Sequence, residues 1–166
     1  VNTRTLVVMR HAKSDYPTGV VDHQRPLAPR GIREAGLAGD WLRANVPPIE
    51  LVLCSSATRT RQTLDRTGIT APVEYSDRLY GATPGTMIEE INGVPDEVST
   101  LLVVGHEPTV SQVALGLADP QDSDHDAAAQ ISMKFPTSGI AVMRVPVSWS
   151  ALELSSAGLV TFHIPR

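Results

Sequence analysis

The chain has 166 residues, enough for one compact domain that buries about two-thirds of the surface its unfolded form exposes, so it needs no disulfide or metal staple. Its 42% apolar and 19% charged content excludes wholesale disorder, and aromatics at only 4% leave the core to Val, Leu, Ile and Ala. Fourteen Lys and Arg against 18 Asp and Glu give a formal charge of −4, which offers no global basic field to nucleic acid or an anionic membrane, so any anion site must be local.

Residues 5–9 form a continuous apolar run, the pattern of a strand buried on both faces, and the run ends at the polar pair Arg10-His11. Residues 12–31 carry Pro17, Gly19, Pro26, Pro29 and Gly31 and read as a loop. Ile32, Ala35, Ala38, Trp41 and Leu42 then recur at helical spacing, which predicts a helix over about 30–44, closed by Pro47-Pro48. Residues 50–54 read as a second buried strand, and Ser55-Ser56 as caps for a helix that carries Arg59, Arg61 and Leu64 until Gly68 stops it. A weak third strand at 73–75 and a short helix over 84–92 follow.

Residues 100–104 are the clearest strand, and Gly105-His106-Glu107-Pro108 turns it into a helix that ends near residue 117. The Asp-rich stretch 119–130 has no apolar period and is expected to be a flexible surface loop. Residues 139–145, 151–154 and 159–162 read as strands joined by turns, the first and last pairing antiparallel. The sum is an α/β fold: a single domain over residues 1–166 with a mostly parallel sheet flanked by helices on both faces. Function is then expected at the C-terminal strand ends.

Arg10 and His11 after the first strand and His106 after the fourth would project into one crevice above the sheet, and Arg59 after the second strand can reach it. Guanidinium forks pair with phosphoryl oxygens, and a neutral imidazole can attack phosphorus or donate a hydrogen bond, so this set reads as a phosphate cradle. Four residues separate Cys54 from Arg59 on a strand-to-loop path, one too few for a cysteine-phosphatase loop, and Cys54 is expected to be a buried core thiol. His23, His125 and His163 have no carboxylate or histidine partner at i+4, so no metal site is expected, and the Asp-rich run lacks the Gly and closing Glu of a calcium loop.

With those residues in place, the segment Met9-Arg10-His11-Ala12 resembles the R-H-G signature of the histidine phosphatase superfamily. Arg25-Pro26-Leu27 through Gly31 resembles its R-P-L-T-x-x-G stretch, Ser55 through Thr63 its S-x-x-x-R-x-x-Q-T segment, and Gly105-His106 its second histidine motif. The short length and Thr137-Ser138-Gly139-Ile140-Ala141 are most similar to SixA-type phosphohistidine phosphatases. The resemblance implies a phosphoglycerate mutase-like fold and a metal-independent phosphatase without cofactor. In it His11 is the nucleophile, Arg10 and Arg59 clamp phosphate, and His106 stabilises the transferring group. It also places Asp22, Arg25 and Ser14 among the substrate contacts, although Ser14 on its own reads as a turn residue.

Two departures stand out: Ala12 replaces the usual Gly, tolerable if its φ stays negative, and Glu107 brings a charge where small residues are common. A phosphohistidine protein is the expected substrate. A small phosphorylated metabolite, or a binding module without turnover, stands as the alternative. The lone cysteine, with neither a secretory signal nor a membrane-length apolar run, points to a cytoplasmic chain, expected to be a monomer with no membrane or nucleic-acid partner.

Overall fold

Along β1 (Arg4–Arg10), Leu6 and Val8 turn to one face of the sheet and Val7 and Met9 to the other, all four without solvent exposure. A strand buried on both faces has to be central, and it is. In this computed structural model, which describes residues 3–166, β1 joins five further strands in one six-stranded sheet. β1 pairs in parallel with β4 (Thr100–Gly105), β4 with β2 (Leu51–Ser55), and β2 with β3 (Val73–Ser76). β5 (Ile140–Val145) runs antiparallel to β1, and β6 (Gly158–His163) antiparallel to β5, as the sequence led us to expect for the first and last strands of the C-terminal third.

Helices cover both faces. α1 (Pro29–Asn45) and α2 (Thr58–Thr67) bury Ala38, Leu42 and Leu64 against Val7, Met9, Val52, Cys54, Leu102 and Val104. α3 (Pro84–Asn92), α4 (Thr109–Leu117) and α5 (His125–Met133) bury Met87, Ile91, Val110, Val113, Leu117 and Ile131 against Leu6, Val8, Leu101 and Val103. Two glycines let α1 lie close to its neighbours. A Cβ on Gly39 would fall 2.0 Å from the Thr67 carbonyl oxygen, and one on Gly31 would fall 2.1 Å from that of Lys13. α2 stops at Gly68, whose φ of 73° is the left-handed cap that glycine adopts without strain.

Three expectations need correction. The stretch 119–130 is not wholly loop: Asp124 accepts a hydrogen bond from the Ala127 amide at 3.0 Å and caps α5, which buries Ala127 and Ile131, one turn apart. Residues 151–154 form no strand: Leu152 alone of the four is buried, so no strand face forms. The chain instead makes a 3₁₀ turn (Trp149–Ala151) that buries Trp149, whose Nε1 donates to the Val98 carbonyl at 2.8 Å. Ser55 and Ser56 do not cap α2, whose N-cap is Ala57; their hydroxyls are used elsewhere.

Candidate active site

Parallel register levels the strand ends. Arg10 stands opposite Gly105 in the β1–β4 ladder and Cys54 opposite Val104 in β2–β4, so His11, Ser55 and His106 emerge side by side. The imidazole centroids of His11 and His106 are 5.3 Å apart. They line a cavity of about 220 Å³ together with Arg10, Lys13, Ser14, Tyr16, Arg25, Arg59, Glu107 and Thr137. Another concavity of similar volume, beside Leu42, Val46, Ile49 and Ile69 at the far ends of α1 and α2, is mostly apolar and away from this chemistry.

Three backbone contacts fix His11. Its amide donates to Gly105 O (3.0 Å), its carbonyl accepts from the Ser138 amide (3.0 Å), and the Arg10 amide donates to Gly139 O (3.1 Å). The ring nitrogen Nδ1 lies 2.7 Å from the Ala12 carbonyl, which can only accept. Nδ1 must therefore carry the hydrogen, and a neutral ring keeps its lone pair on Nε2. Burial, reinforced by His106, Arg10 and Arg59, outweighs the Ala12 carbonyl and holds the His11 pKa down to about 3. At neutral pH the ring is an uncharged, oriented nucleophile. Ala12 itself is buried, keeps out of the left-handed region, and donates its amide to Thr63 Oγ1 at 2.9 Å.

Arg10 donates from Nη1 to Phe135 O (3.0 Å), which ties it to the segment before β5, and burial lowers its pKa against the pull of Glu107 and Tyr16. Arg59, in the first turn of α2, gives one N–H to Asp22 O (2.8 Å) and one to Asp22 Oδ2 (3.2 Å). The Nε atoms of both arginines are buried without a partner among the described residues. Asp22 also accepts from Tyr80 and, at 3.1 Å, from Arg25 Nε; the Tyr80 bond first, then Arg25 and Arg59, overcome desolvation and hold its carboxyl down to about 2. Arg25 continues to Ser14 Oγ (2.9 Å) and lies over the Tyr16 ring at 4.0 Å. Glu107 lines the cavity beside Arg10, but its two oxygens accept from the Ser111 amide (2.6 Å) and hydroxyl (2.7 Å).

All seven residues singled out in the sequence, Arg10, His11, Ser14, Asp22, Arg25, Arg59 and His106, thus converge, although Ser14 is buried and engaged with Arg25. Sequence reasoning did not assign Gln62 and Thr63, which hold the 12–27 loop through Leu27 N (2.8 Å) and Ala12 N. Both stood inside the S-x-x-x-R-x-x-Q-T match, so the signal was present. His23, which has no metal partner in the sequence, places its Nε2 2.9 Å from Ser56 Oγ, and its ring meets Tyr80 edge-on. Cys54 is buried, and burial pushes its thiol up to about 12.

Residues 6–98 match the family model described as histidine phosphatase superfamily, branch 1. An uncharacterized protein of Mycobacterium tuberculosis is 65% identical over 158 residues, covering 95% of this chain and all of the relative. The phosphohistidine phosphatase SixA of Escherichia coli is 30% identical over 118 residues, covering 68% of this chain and 73% of that protein. A solved structure from Nakamurella multipartita that carries the SixA name superposes with a TM-score of 0.91 at 40% identity, covering 99% of this chain and 98% of that one. The chain belongs to branch 1 of the histidine phosphatase superfamily and, within it, to the SixA type.

Proposed function

We propose that this protein removes phosphoryl groups from phosphohistidine on a protein, carrying them transiently on His11. The observation that supports this most is the state of His11: a buried, neutral ring with Nδ1 tied to a carbonyl and Nε2 free, in a cavity shared with two guanidinium groups. Nε2 forms a bond to phosphorus as the bond from phosphorus to the substrate's imidazole nitrogen breaks, and that imidazole leaves with a proton. Water then attacks phosphorus, the bond to His11 breaks, and inorganic phosphate departs. Arg10 and Arg59 keep N–H groups free for the equatorial oxygens, so positive charge is at hand without a metal ion.

The leaving group follows from what the carboxylates are doing. An alkoxide departs slowly without a positioned acid, whose help is typically worth ~10²–10⁴-fold. Asp22 is held ionised with its oxygens on Tyr80, Arg25 and Arg59, and Glu107 is spent on Ser111, so neither is placed as a proton donor. An imidazole, with an ordinary pKa of about 6.5, needs little help.

The test compares kcat/KM for a phosphohistidine protein with that for an alkyl phosphate such as phosphoserine, before and after dialysis against EDTA. Preference for the phosphoramidate, unaffected by EDTA, is expected. Equal or better turnover of the alkyl ester would transfer the assignment to a metabolite phosphatase. His11→Ala should abolish turnover, and the trapped phosphoryl adduct should be acid-labile, base-stable and located on His11.

A further inference from the structure

Ser55, the last residue of β2, is fully buried, and its Oγ lies 2.8 Å from His106 Nε2 and 3.3 Å from the Ala57 amide. The amide can only donate, so it occupies a lone pair of Oγ and leaves the hydroxyl proton to be given elsewhere. His106 Nε2 is the one acceptor within hydrogen-bond distance of that hydroxyl among the described residues. If the ring donated instead, the Ser55 proton would be stranded in the core without an acceptor. Nε2 of His106 is therefore an acceptor.

Burial, with Arg59 and Arg10 adding to it, keeps His106 uncharged, and a neutral imidazole bears its hydrogen on one nitrogen only. That nitrogen is then Nδ1, which is buried and has no partner among the described residues, although the residue lines the cavity. The opposite tautomer would turn a lone pair toward phosphoryl oxygens and repel them.

We propose that Ser55 is a positioning residue that locks His106 in the Nδ1–H tautomer, so that the second histidine meets the phosphoryl group as a neutral hydrogen-bond donor. The donor's target rests on the phosphoryl-transfer reading above; the tautomer itself does not. His11 and His106 thus carry the same tautomer for opposite ends: a carbonyl leaves Nε2 of the first as a nucleophile, and a hydroxyl leaves Nδ1 of the second as a donor.

Long-range proton–nitrogen NMR of the substrate-free protein with isotope-labelled histidine reads the tautomer directly. The wild type should show Nδ1–H at His106, and Ser55→Ala should shift it toward Nε2–H. In turnover, Ser55→Ala should lower kcat roughly tenfold with KM little changed, less than the ~10²–10³-fold typical of removing such a donor outright. In a His106→Asn background, where the amide nitrogen stands near the Nδ1 position and needs no help from Ser55, adding Ser55→Ala should cost nothing further. Three results would overturn the proposal: an Nε2–H ring in the wild type, an unchanged tautomer in Ser55→Ala, or an equal kinetic loss in both backgrounds. Failure of the functional reading is a separate result, namely no turnover of any phosphorylated compound by the wild type, whatever the spectra show.

Discussion

At the scale of single residues, the site is a problem of competing charges. Asp22 is half-exposed, and its carboxylate occupies one N–H, its backbone carbonyl another, of the arginine expected to grip phosphate. It holds the 12–27 loop across the cavity while adding like charge beside an incoming dianion. Replacing it by Asn keeps the shape and removes the charge, so Asp22→Asn should bind inorganic phosphate roughly fivefold more tightly, the scale of one partly screened charge several ångströms away. Competitive inhibition by phosphate measures this. Weaker binding would mean that the carboxylate serves mainly to orient Arg59. The residues legible in the sequence were those with strong chemistry at strand ends, namely Arg10, His11, Arg59 and His106. Ser55 reads in the sequence as a helix cap, since a serine before a helix has that use far more often, and nothing local announces a histidine fifty-one residues away.

At the scale of elements, α1 sets both the packing and the position of the catalytic loop. Its two tight glycines make different predictions. Gly39→Ala drives a methyl into the Thr67 carbonyl at the end of α2, remote from the cavity, and should cost about 2–3 kcal/mol of stability while leaving kcat near normal. Gly31→Ala presses on Lys13, two residues after His11, and should lose activity out of proportion to stability. Urea unfolding alongside steady-state kinetics separates the two, and equal behaviour of the pair would refute the distinction. The central strands were legible because continuous apolar runs admit few other placements in a small α/β chain. α5 was not, since only Ala127 and Ile131 of its nine residues are buried and the acidic cap at Asp124 resembles a polar loop. The Leu152–Leu154 alternation misled for the opposite reason: it has strand periodicity, but Leu152 is buried and Leu154 stands exposed, so the period marks no face of the sheet.

At the scale of the whole molecule, holding two imidazoles uncharged links folding to pH. The pKa values of His11 and His106 are held at about 3 and about 4 in the fold against about 6.5 in an unfolded chain, so the unfolded state binds protons more readily between those limits. The stability they contribute is present above about pH 6.5 and is lost as pH falls through the window down to the folded values, by at most about 2 kcal/mol per histidine at pH 5. Denaturation midpoints at pH 7.5 and 5 should therefore diverge in the wild type and draw together in His11→Ala; parallel losses in both would show that His11 is not the origin. The buried thiol of Cys54 bears on how the protein fares in its surroundings. Phosphatases that use a thiolate are silenced when peroxide oxidises it, whereas here the one sulfhydryl is protonated, enclosed and absent from the cavity lining. Treatment with hydrogen peroxide or iodoacetamide should leave turnover intact, so dephosphorylation by this protein would continue through an oxidative burst that halts its thiol-based counterparts.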